Sequence, residues 1–169
     1  GRAMGATLAS GEQIRAPLVV SNADPVTTFE RLVGYRHIET GMARRVSQIR
    51  CNGGTAKLHL ALDGAPTFTG LDAGQLGHRL VIAPDMNYIE RAFNAVKYDE
   101  YSAAPALDIS IPTVHDAALA PAGGHVLSAI VQFAPYAPAG GWEAHRATFE
   151  QQVVDSIAAY APGIREQIV

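Results

Sequence analysis

The segment Leu18-Val19-Val20-Ser21-Asn22-Ala23-Asp24-Pro25 constrains this chain most, because an apolar strand runs there directly into a capped helix. The pattern predicts that one structural unit closes and another opens at this point. Before it, Gly5-Ala6-Thr7-Leu8-Ala9 and Glu12-Gln13-Ile14-Arg15-Ala16 flank Ser10-Gly11, a turn pair of the kind that joins two short antiparallel strands. After it, Asp24 is a natural acceptor for the free amides of a first helical turn. Pro25 suits the first helical position, where its missing N–H is not needed, and Gly34 ends the turn. A boundary is therefore expected at Asp24–Pro25, giving segments 1–24 and 25–169.

A chain of 169 residues hides roughly 70% of its unfolded surface, so a sizeable core is expected. Hydrophobic residues make up 48% and charged ones 17%, which is too apolar for disorder and low in charge for a free-standing surface. No apolar run approaches the roughly 20 residues of a membrane span, and residues 1–20 lack the basic start and apolar stretch of a signal peptide. A net charge of −3 argues against nucleic acid as a partner. The local cluster Arg36, Arg44, Arg45 and Arg50 reads as a solvated helix face opposite Met42, Val46 and Ile49. Cys51 is the only cysteine, so no internal disulfide can form, and a cytoplasmic setting is expected.

Hydrophobic periodicity predicts helices over 25–33, burying Val26, Phe29 and Val33, and over 40–50. It predicts a strand over 55–62 with Leu58, Leu60 and Leu62 on one face and Lys57, His59 and Ala61 on the other. A loop over 63–77 leads to a short strand over 79–83. Asp85 then caps a helix with Met86, Ile89, Phe93 and Val96 inward. Strands recur over 106–111 and 125–133. A long helix from Gly141 turns Phe149, Val153 and Ile157 inward until Pro162 and Gly163 stop it. Irregular mixing of strands and helices predicts an α+β fold with a mixed, largely antiparallel sheet and packed helices, preceded by the β-hairpin.

Chemistry-bearing motifs are few. His37, His59, His78, His115, His125 and His145 show no metal-ligand spacing, so no metal is expected. Adjacent His115 and Asp116 point apart on an extended segment and read as loop structure, with Asp116 capping a turn. No G-x-S-x-G elbow occurs. No G-x-G-x-x-G turn between a strand and a helix occurs either, and Gly123-Gly124 precedes an apolar strand, so no helix N-terminus is aimed at a phosphate.

The order of hairpin, apolar strand, Ser21-Asn22-Ala23-Asp24-Pro25 and helix resembles the phytoene dehydrogenase-like FAD-dependent oxidoreductases. Lys57-Leu58-His59-Leu60-Ala61-Leu62 with Pro66 is similar to that family's first long substrate-domain strand, with His59 where a polar amide is more usual. Ile111-Pro112-Thr113, Asp116, Ala120-Pro121, Gly123-Gly124-His125-Val126 and Gln132-Phe133-Ala134-Pro135-Tyr136 resemble its distal strand-loop-strand stretch, and Trp142 opens its last helix. The resemblance implies that residues 1–24 end a flavin-binding domain and that 25–169 form a substrate-binding domain. It implies a dehydrogenase or desaturase whose FAD belongs to the full-length parent, with no cofactor and no catalytic residue expected for this chain alone.

On that resemblance the cavity wall facing the flavin draws on Lys57 and His59 and on the strand end from Gln132 to Tyr136. An ammonium there stabilises developing negative charge; the plainer reading of Lys57 is an edge-strand lysine in water, and of Tyr136 a packed loop aromatic. Expected partners are a small apolar substrate, the missing flavin-binding segment and a second copy of the chain, paired through the hairpin region. Two rivals stand beside this reading: a free-standing small-ligand module, and an interaction domain docking a flavin-carrying partner.

Overall fold

The computed structural model describes residues 2–50 and 53–169, which divide into two compact units, Gly1–Cys51 and Asn52–Val169. The expected seam at Asp24–Pro25 thus falls inside the first unit. Cys51 lies outside the described residues.

In the first unit, β1 (Gly5–Thr7) and β2 (Gln13–Arg15) pair antiparallel with Gly5 opposite Arg15. The pairing needs glycine at position 5. Its φ is 151°, and a Cβ there would sit 2.0 Å from the Ile14 carbonyl oxygen. The expected apolar strand over 17–22 is not paired: the stretch belongs to no strand, and Leu18, Val19 and Val20 are exposed. A strand is held by a neighbour's backbone, and no described segment supplies one. Asp24 caps as expected, its Oδ1 accepting from the Thr27 amide at 2.9 Å; the Thr27 hydroxyl first and this amide second hold its carboxyl below the usual value.

The following turns widen into a π-helix, Thr27–Val33, closed by the Gly34 amide donating to the Phe29 carbonyl. Contrary to the periodicity, Val26 and Phe29 are only half-buried and Val33 is exposed. A π-helix carries more residues per turn, so positions spaced for an α-helix no longer share one face. Helix α1 (Thr40–Ser47) is capped by Glu39 through the Gly41 and Met42 amides and buries Val46. It stops short of the expected Arg50, and Ile49 is exposed. Ser47 bonds back to the Arg44 carbonyl, a side-chain contact that competes with helix continuation. Arg36, Arg44, Arg45 and Arg50 are all exposed.

The second unit is built on a four-stranded sheet in the order β3-β6-β5-β4, antiparallel throughout. Its strands are β3 (Thr55–Leu62), β4 (Leu80–Ile82), β5 (Ala106–Ser110) and β6 (His125–Gln132). With the hairpin and helices this is an α+β fold. Alternation decides the faces. Leu60 stands opposite Leu127, Leu58 opposite Ala129, Ile109 opposite Ala129 and Leu107 opposite Val131. These side chains form one apolar face, buried with Phe149, Val153 and Ile157 of α3 (Trp142–Ala158). Ala161 and Ile164 join the same cluster, the latter opening α4 (Ile164–Gln167) after a left-handed Gly163.

Helix α2 (Met86–Val96) begins where the Asp85 carboxylate accepts from the Tyr88 amide at 2.7 Å. Replacing Asp85 by Ala should destabilise the second unit by about 1 kcal/mol; an unchanged denaturation midpoint counts against the cap. The inward face of α2 differs from expectation. Ala92 is fully buried and Tyr88 donates to the Pro105 carbonyl, whereas Met86 and Phe93 are exposed. Phe93 has another partner, the ring of Phe133 at 5.1 Å edge to face, with Lys97 Nζ 5.1 Å from its own centroid. An exposed aromatic so placed satisfies helical spacing without entering the core.

Candidate functional site

The sheet face opposite the core gathers most of the expected site residues. Because β3 and β6 pair with Thr55 opposite Gln132, Lys57 opposite Ile130 and His59 opposite Ser128, the side chains of Lys57, His59 and Gln132 share that face. β5 extends the rows: Ala106 opposite Gln132, Asp108 opposite Ile130 and Ser110 opposite Ser128. β4 adds Val81 opposite Asp108. The face thus carries the ammonium of Lys57 and the imidazole of His59 at one margin, Ile130 and Val81 across its middle, and a polar row of His59, the buried Ser128 and the half-buried Ser110.

At the other margin Arg79 grips Asp108 through two parallel hydrogen bonds, Nε to Oδ1 at 2.7 Å and Nη2 to Oδ2. Those bonds raise the Arg79 pKa. The forked geometry holds Asp108 and neutralises it, so the carboxylate does not oppose an anion over this face. Lys57 and His59 have no ion-pair partner among the described residues. Both are exposed, as are Gln132 and Val81. A face of this kind can orient a ligand with an apolar body and a polar or anionic end.

Tyr136 lies elsewhere in the local structure. It sits in the loop between β6 and α3 with its ring exposed, and its carbonyl accepts from the Trp142 indole N–H at 3.1 Å. That loop is fastened from behind. His145 Nε2 donates to the Ala139 carbonyl at 2.7 Å, which leaves Nδ1 to accept from the Tyr101 hydroxyl at 3.3 Å. Tyr101 in turn stacks on Trp142 and meets Phe149 edge to face at 4.9 Å.

Three further histidines have side-chain partners, His37 Nε2 accepting from its neighbour Arg36 Nε at 3.0 Å. His115 Nε2 donates to the Gly77 carbonyl at 2.8 Å, and His125 Nδ1 is 2.9 Å from Thr113 Oγ1. Asp116 caps its turn through the Ala118 amide. Among the described residues no three His, Cys, Asp or Glu side chains converge on a possible metal position. No described helix is long and apolar enough to cross a membrane.

Sequence reasoning missed Arg79, Asp108, Ser110 and Ser128 on the open face. Asp108 and Ser110 had a readable signal, since they alternate with Leu107 and Ile109 in one strand. Ser128 had none, being a single hydroxyl within an apolar run.

No protein-family model matches the chain. Along its whole length the chain is similar to two curated mammalian proteins, both named "Pyridine nucleotide-disulfide oxidoreductase domain-containing protein 2". It is 34% identical over 180 residues to the one from Mus musculus and 33% identical over 180 residues to the one from Rattus norvegicus. In each case it spans 31% of the relative's length, so it corresponds to about a third of those proteins.

Proposed function

We propose that this chain is the substrate-binding portion of an FAD-dependent oxidoreductase of dehydrogenase or desaturase type, similar to the phytoene dehydrogenase-like enzymes. The observation that supports this most is the likeness to oxidoreductase-named proteins over the whole chain, together with a sheet face bearing Lys57, His59 and Gln132. In this reading residues 1–24 end the flavin-binding domain. The unpaired segment 17–22, with Leu18 and Val20 exposed, belongs to that domain's sheet or pairs with a second copy.

The residues of this chain do not fit a flavin's pyrophosphate. Gly123, with φ at 81°, and Gly124 form a turn into β6 rather than opening a helix, and a Cβ on Gly124 would lie 3.3 Å from the Pro121 carbonyl oxygen and 3.4 Å from that of Leu62. The chain's own contribution is to bind and orient. Lys57 places positive charge, and His59 a hydrogen-bonding ring, where a substrate's polar end lies, and Ile130 and Val81 receive its apolar body. FAD, taken up elsewhere in the parent protein, supplies the redox chemistry.

The test has two arms. Flavin fluorescence should show no saturable FAD uptake by this chain alone. The parent protein should purify yellow, and Lys57→Met in it should shift the flavin absorption spectrum or raise KM while leaving flavin content unchanged. Stoichiometric FAD binding by the isolated chain would sink the division of labour, and a colourless parent would sink the oxidoreductase reading.

A further inference from the structure

Residues 31–50 of the first unit carry five arginines, Arg31, Arg36, Arg44, Arg45 and Arg50, against a single acid, Glu39. All five are exposed, and among the described residues none forms an ion pair. Glu39 is taken up by the fold: its two carboxylate oxygens accept from the Gly41 and Met42 amides at 2.7 and 3.0 Å. Those bonds, the Gly41 amide first, hold its carboxyl below the usual value, with a smaller pull from Arg45. The acid before it, Glu30, accepts from the Tyr35 hydroxyl at 3.1 Å. Positive charge is thus left in excess over this stretch.

Helix α1 cannot hide these cations, because Met42, Ala43 and Val46 occupy its inner side and put Arg44 and Arg45 on the outer one. Arg36 gives only its Nε to His37, at 3.0 Å, which leaves its Nη groups for an anion. The type of cation is uniform as well. All seven Lys and Arg positions of Gly1–Cys51 are arginine, and the chain's two lysines, Lys57 and Lys97, lie in the second unit. A guanidinium's planar fork matches two oxygens of one phosphate, whereas a lysine ammonium is a point charge. Next to the arginines in the chain stand two apolar side chains in water, Leu32 at 68% exposure and Val33 at 38%.

We propose that residues 31–50 form a docking surface for an anionic phospholipid bilayer, with Arg36, Arg44, Arg45 and Arg50 on the headgroup phosphates and Leu32 and Val33 entering the interface beside them. Charge complementarity carries the choice of an anionic partner. At physiological ionic strength charges act over only about 8 Å, so a surface meets this local cluster and not the chain's net −3. The exposed apolar pair then selects lipid among anionic partners. A polynucleotide would engage the same guanidiniums but leave Leu32 and Val33 in water, whereas a bilayer interface receives both. About four to eight basic residues on an amphipathic segment suffice for reversible attachment, with no membrane-spanning helix. Such docking is independent of whether the parent protein carries FAD.

Flotation of the full chain with lipid vesicles is the test. At about 0.1 M salt, where screening sets in at about 10 Å, the chain should float with phosphatidylcholine vesicles containing about a third phosphatidylglycerol and stay behind with pure phosphatidylcholine. At about 1 M salt, where screening sets in at about 3 Å, it should be released. Arg44→Gln combined with Arg45→Gln should raise the lipid needed for half-binding at least about tenfold, since each basic residue near an anionic surface is worth about fivefold. Gln keeps the helix propensity of α1, and an unchanged circular dichroism spectrum verifies the fold. Arg36→Gln with Arg50→Gln, outside α1, should weaken binding similarly, and Leu32→Ser should weaken it without changing the salt dependence. Arg91→Gln, in α2 of the second unit, should change nothing. Equal flotation with neutral vesicles, or an arginine pair whose loss changes nothing, overturns the proposal. So does a short single-stranded DNA that displaces the chain from vesicles and binds the Leu32→Ser variant equally well, which assigns the arginines to a polynucleotide.

Discussion

Leu127→Ala should destabilise the second unit by about 3–5 kcal/mol, read as a fall in the urea midpoint of Trp142 fluorescence, while Lys57→Ala should stay within about 0.5 kcal/mol. The two positions lie on adjacent strands but on opposite faces of the sheet. Leu127 is fully buried in β6, opposite Leu60, and β6 is flanked by β3 and β5, so both neighbouring strands and α3 pin the walls of any cavity left by truncation. Walls held on three sides relax little, which places the cost toward the upper end of the range. Lys57 is exposed and has no ion-pair partner among the described residues, so its removal forfeits little. If Lys57→Ala proves the more damaging, the assignment of core and open face is reversed, and the proposed substrate-facing surface goes with it.

How far the sequence discloses this fold depends on whether its local signal and its packing agree. Over 55–62 they agree: alternation separates Leu58, Leu60 and Leu62 from Lys57 and His59, and the structure buries and exposes them accordingly. Asp85 and Asp24 are legible for the same reason, because a carboxylate one residue before a helix meets free amides whatever the tertiary setting. Phe93 and the 17–22 strand fail differently. An exposed Phe93 is explained only by Phe133, which lies 40 positions away in the chain. A strand at 17–22 needs a paired neighbour that the described residues do not provide. The candidate site was half legible. Strand periodicity put Lys57 and His59 on one face, but the register that adds Gln132, Ser128 and Asp108 is a long-range property with no local sequence signature.

Phe149→Ala should cost a further about 3–5 kcal/mol and, unlike Leu127→Ala, should change the environment of Trp142 before global unfolding. Phe149 is buried against two rings that stack on each other, Tyr101 at 4.9 Å and Trp142 at 5.3 Å. Its removal therefore takes away the apolar transfer energy, two aromatic contacts worth about 0.5–1.5 kcal/mol each, and the floor of a groove beside β3. The consequence travels along the loop. Tyr101 holds His145, His145 holds the Ala139 carbonyl, and Trp142 holds the Tyr136 carbonyl, so one ring supports three anchors of the segment that carries Tyr136. In native buffer the variant should show an altered Trp142 emission maximum and faster amide exchange over 136–141, while β5 and the edge strand β4 keep their protection. Uniform loss of protection across the sheet would instead make Phe149 an ordinary core residue. The loop would then owe its conformation to its own turns.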